Sequence, residues 1–138
     1  MKRFLFLIIL IAFAGCGDSI KGTLDKQLMG VDKVKIYFTN IVPTKDTATE
    51  QRAIITITNL DTVNMLAQSI TDETSEFYKC GYTGTIEFFK DNISISNMQF
   101  NLMNECNHIV FRVKDNIYSK KISDKGIEVL NNYYKTIN

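Results

Sequence analysis

Two rhythms of apolar residues run along this chain, after an opening segment that has neither. From Lys33 to Ile41, apolar Val34, Ile36 and Phe38 alternate with Lys33, Lys35 and Tyr37, the period of a strand with one buried face. Arg52 to Thr58 is dense in β-branched residues and reads as a second strand, after a polar loop from Pro43 to Gln51. The period then lengthens. Val63, Leu66, Ala67 and Ile70 share one face of a short helix, with Asn59 or Asp61 as its cap. Phe77 to Ile122 returns to alternation and reads as an antiparallel meander. A closing helix follows Ser123, with Ile127, Leu130, Tyr134 and Ile137 on one side and Gly126 weakening its first turn. Residues 16–31 scatter Ile20, Leu24, Leu28 and Met29 among polar residues and read as a tether with room for a short helical turn. The expected architecture is α+β: an antiparallel sheet of five or six strands with two helices packed on one face, in the order β-β-α-β-β-β-β-α. Residues 32–138 then form a single globular domain.

A short repeat sets the register of the meander. Lys90-Asp91-Asn92-Ile93 recurs as Lys114-Asp115-Asn116-Ile117. Asp and Asn tolerate the left-handed backbone that two-residue hairpin turns demand. A loop at Asp91-Asn92 pairs Lys90 with Ile93, sets Phe88 against Ile95, and gathers Ile86, Phe88, Ile93 and Ile95 on one side. A loop at Asp115-Asn116 pairs Lys114 with Ile117 and Ile109 with Ile122. Ile95 and Phe100 differ in parity, so a bulge is expected between Ser96 and Met98. The first register also places Cys80 opposite Met103, close to Cys106, so a Cys80–Cys106 disulfide is expected.

The opening segment is of another kind. Lys2 and Arg3 precede an uninterrupted apolar run from Phe4 to Phe13, and small Ala14 and Gly15 lead to Cys16. This is the order of an export signal, with residues 1–15 removed. The run is too short to span a bilayer, which takes about 20 residues. Ala14-Gly15-Cys16 resembles the signal of bacterial lipoproteins. The resemblance covers the leader alone. It implies acyl chains on Cys16 and a lipid-anchored place in the cell envelope, facing periplasm or exterior. Phe13 departs from the pattern, standing where Leu is usual. Ala12-Phe13-Ala14 also fits ordinary signal peptidase, which would release a soluble protein. Cysteine parity favours the lipid: with Cys80 and Cys106 paired, Cys16 is the one left over.

Charge and chemistry narrow the function. The chain carries 16 basic and 15 acidic side chains, and losing Lys2 and Arg3 tips the mature balance slightly acidic. No basic face is implied, and nucleic acid is not an expected partner. His108 is the one histidine. A triad would need a nucleophile and an orienting acid beside it, which nothing in the sequence announces, and zinc sites show tighter cysteine pairs than Cys80 and Cys106. The Gly81–Gly84 stretch lacks the Lys-Ser/Thr ending of a phosphate loop. No catalytic residue, cofactor or metal is therefore expected. Tyr82 or Phe89, whichever faces out, is the candidate anchor for a partner. The leading expectation is a non-enzymatic, membrane-anchored binding module whose partner is an envelope or secreted protein. Its alternatives are an inhibitor or immunity protein against a toxin or cell-wall hydrolase, a small envelope enzyme, and a structural component of the envelope.

Overall fold

The structure, a computed structural model, describes residues 19–43, 48–76 and 80–137. The leader and Cys16 lie outside them. The described residues form three helices and one antiparallel sheet of seven strands.

The first helix, α1 (Ile20–Gln27), replaces most of the expected tether. Ser19 starts it, its hydroxyl accepting from Gly22 N at 3.0 Å. Lys21 and Asp25 pair one turn apart. Leu24 and Leu28 sit on one face, and with Val31 they are buried in the core. Two leucines four residues apart leave too faint a periodic signal to announce a helix of eight residues.

Strands β1 (Lys33–Pro43) and β2 (Ala48–Ile57) pair antiparallel, with β2 starting earlier than its β-branched core. Helix α2 (Leu60–Gln68) is capped by Asn59, whose side chain accepts from Thr62 N at 3.0 Å. Ile70, expected on that helix, instead opens β3 (Ile70–Thr74), a strand the helical spacing concealed. Strands β4 (Gly84–Lys90), β5 (Ile93–Asn101), β6 (His108–Val113) and β7 (Asn116–Ile122) make the meander, and α3 (Asp124–Lys135) closes the chain behind Ser123. The strand order is β2-β1-β4-β5-β6-β7-β3. The architecture is thus α+β, richer than expected by one helix and at least one strand.

The first hairpin turns at Asp91-Asn92, with φ of 50° and 65° and Lys90 opposite Ile93. Both left-handed positions match a two-residue turn of the primed kind. The bulge comes sooner than expected. Phe89 pairs with Ser94 and Phe88 with Ser96, leaving Ile95 as the extra residue. Phe88 therefore does not face Ile95, and Ile93 stands exposed instead of joining the core side. Gln27 of α1 donates to the carbonyl of Ile95, a polar group that the bulge leaves out of the ladder. Beyond the bulge Ile86 faces Met98, and Gly84 faces Phe100.

The second turn lies at Lys114-Asp115, one residue earlier than expected. Val113 pairs with Asn116, and Ile109 with Lys120 rather than Ile122. The two registers differ by two residues, so they send the same side chains to the same face. Burial alone does not choose between them. The register found carries Ile122 past β6 to pair with Ile70 on β3.

All three helices lie on one face. There Leu24, Val63, Leu66 and Leu130 meet Val34, Ile36, Phe38, Ile86, Phe88, Phe100 and Phe111 from the sheet. Phe38 is the hub: Phe100 meets it edge-on at 5.7 Å between centroids, and Tyr134 of α3 approaches at 5.4 Å. Such aromatic pairs add about 0.5–1.5 kcal/mol beyond their buried area.

Candidate functional site

The parity that sends these side chains inward sends Lys33, Lys35, Tyr37 and Thr39 of β1 to the other face. Thr85, Glu87 and Phe89 join them from β4, Asn97 and Gln99 from β5, and His108, Val110 and Arg112 from β6. No helix among the described residues covers this face. Its centre is an open trough of about 580 Å³ lined by Tyr37, Tyr82, Thr85, Glu87, Asn97 and Gln99, within the range of small-ligand sites. A smaller hollow continues it across β6 to Arg112 and Ile117, sharing Thr85, Asn97 and Gln99.

The disulfide lies just behind Tyr82, which lines the trough. Cys80 and Cys106 are bonded, with Cα atoms 6.4 Å apart and a sequence separation of 26. The hairpin register expected this pair, and the early bulge moved it by only one residue. Buried Asn101 ties the same corner. Its amide donates to the carbonyls of Cys80 at 3.1 Å and Gly81 at 2.8 Å, while its oxygen accepts from Met103 N. Tyr82 projects from this stapled corner, 44% exposed.

His108 lies beneath it. It is 1% exposed, its Nδ1 is 2.6 Å from the Cys106 carbonyl, and its ring meets Tyr82 at 6.1 Å. Its neighbour is a backbone carbonyl rather than a carboxylate, and its place is a support for the Tyr82 wall. The cysteines are committed to each other, so they do not join His108 as metal ligands. Among the described residues no group of three or more His, Cys, Asp or Glu is placed to hold a metal ion.

Of the two aromatic candidates, Tyr82 faces solvent and Phe89 does not. Phe89 points to the open face, but the ammonium groups of Lys33 and Lys35 lie 4.8 and 5.2 Å from its ring centre. They leave it 8% exposed. Across β1 and β4, Lys35 sits directly opposite Glu87. Glu87 also accepts from the Tyr37 hydroxyl at 2.9 Å. That hydrogen bond raises the Tyr37 phenol above its ordinary value of 10.0, with burial and the Glu87 charge adding in the same direction. Tyr37 thus stays a neutral donor, and Glu87 is already engaged on one side.

Reading the sequence for catalytic motifs misses Tyr37, Asn97, Gln99 and Arg112. The signal was present as parity. At the non-core positions of β1, β4 and β5, hydroxyl and amide residues recur where a solvated face more often carries Lys and Glu.

Cys16 lies outside the described residues. Among those residues no helix is long and apolar enough to cross a membrane. Comparison with known proteins returns no match, whether with protein-family models, curated proteins or solved structures.

Proposed function

We propose that this protein is an exported, lipid-anchored binding module that engages its partner through the uncovered face of the sheet, without catalysing a reaction. The observation that carries this reading is the trough itself: a polar surface that no helix among the described residues covers, with an exposed tyrosine at its wall. The anchor rests on Ala14-Gly15-Cys16 and on the use of the other two cysteines in the Cys80–Cys106 bond. Several acyl chains at Cys16 would hold the domain firmly, since each buried methylene contributes about 0.8 kcal/mol. A non-enzymatic role is supported by the surroundings of His108, which is buried against a carbonyl.

Two experiments test the two halves. Metabolic labelling with a fatty-acid probe should mark the wild-type chain and not Cys16→Ser. Equal labelling of both removes the anchor. For the face, Asn97→Arg at the trough is compared with Asn132→Arg on exposed α3, using chemical cross-linking in intact envelopes. Loss of a cross-linked species with the first substitution alone supports the reading. Loss with both, or with neither, sinks it.

A further inference from the structure

The chemistry of the trough says what it would hold. The backbone donors and acceptors along these strands are spent in the sheet's own ladder, so recognition here falls to side chains. An extended peptide adds to a sheet edge, where backbone groups are free. A protein partner favours an apolar, aromatic centre. Here the arrangement is reversed: apolar Ile54 and Ile117 stand exposed at the flanks, and the centre is hydroxyl and amide. Asn and Gln amides donate and accept within one plane, which suits ligands whose groups also do both. Tyr82 offers a ring face beside them.

Charge completes the description. At the trough Glu87 accepts from the Tyr37 hydroxyl, and the Lys35 ammonium lies over the Phe89 ring. Arg112, exposed at the far end, has no ion pair among the described residues. That end therefore presents a guanidinium, whose planar fork suits a carboxylate. From β1 to β6 the trough and the hollow that continues it cross three strand spacings, about 14 Å, a length for two linked sugar rings.

Resting on the binding-module reading, the geometry points to a saccharide site: an amide-bearing sugar chain seated on Asn97 and Gln99 against Tyr82, with an acidic substituent at Arg112.

The test uses the full mature chain with Cys16→Ser, kept soluble, and two disaccharides that differ in one lactyl carboxylate. These are N-acetylglucosaminyl-N-acetylmuramic acid and di-N-acetylchitobiose, titrated by amide-shift perturbation in NMR. The acidic sugar should bind about tenfold more tightly, the scale of one charge-assisted hydrogen bond. Arg112→Gln should erase that preference. Tyr82→Phe should bind like wild type, and Tyr82→Ala should lose most affinity for both. Native amide dispersion in each variant shows that it folds. No binding of either sugar overturns the saccharide assignment, as does a preference that survives Arg112→Gln. Face-specific cross-linking that persists in that case keeps the binding module and removes only its sugar.

Discussion

At Gly84 the sheet leaves no room for a side chain. A Cβ there would lie 2.4 Å from the Tyr37 carbonyl and 2.9 Å from the Phe100 ring. Gly84→Ala should therefore cost about 2 kcal/mol or more, as overpacking does, seen as a lower urea midpoint. Gly126 answers the same need: its Cβ would meet Ser69 at 2.4 Å, so the residue that weakens the first turn of α3 also lets that turn close on the C-terminus of α2. Lys114 presents the opposite case. Its φ of 54° is left-handed, where a Cβ is unfavourable. Lys114→Gly should raise stability by about 0.5–1 kcal/mol, after the added freedom of the unfolded chain is subtracted. An unchanged or lowered midpoint would contradict it. Tyr37 carries a pH signature. Because its folded value is raised, its contribution is fully present below the ordinary phenol range and fades as pH rises through the folded value. Phenolate absorbance, with Tyr37→Phe as reference, should show this tyrosine titrating above the ordinary phenol value. Glu87→Gln should bring it down.

The elements that could be read from the chain are those whose periodicity is strong or whose turns have their own chemistry. Alternation at Val34, Ile36 and Phe38 gave β1, and Asp91-Asn92 gave the first hairpin. Helix α1 and β3 escaped for physical reasons. The helix is held by a serine cap and two leucines, and most of its stability comes from packing that the sequence does not display. In β3, Ile70 alone is buried, so no alternation marks it. The second turn slipped because two registers bury the same residues. The trough was legible only as outward parity, since its residues come from strands distant in sequence. Asn92 tests the turn reading: Asn92→Val places a β-branched residue at φ 65° and removes the acceptor that Lys33 Nζ uses. It should cost about 1–2 kcal/mol in urea unfolding, while Asn92→Gly should be near neutral.

For the molecule as a whole, the disulfide joins stability to the open face. Closing its loop removes unfolded-state freedom worth about 3 kcal/mol in the chain-entropy account. Cys80→Ser with Cys106→Ser should lower stability by about that amount, and amide exchange should quicken first around Tyr82. A variant equally stable and equally protected there would detach the staple from the trough wall. Helix α1 has a different bearing. It begins at Ile20 and is fastened to the core by Leu24 and Leu28, so few residues separate Cys16 from the folded body. From Cys16 to Ser19 even a fully extended chain reaches only about 10 Å. With lipid on Cys16, the domain would ride close to the bilayer surface and search for its ligand by gliding in the plane, so that encounter becomes a two-dimensional problem.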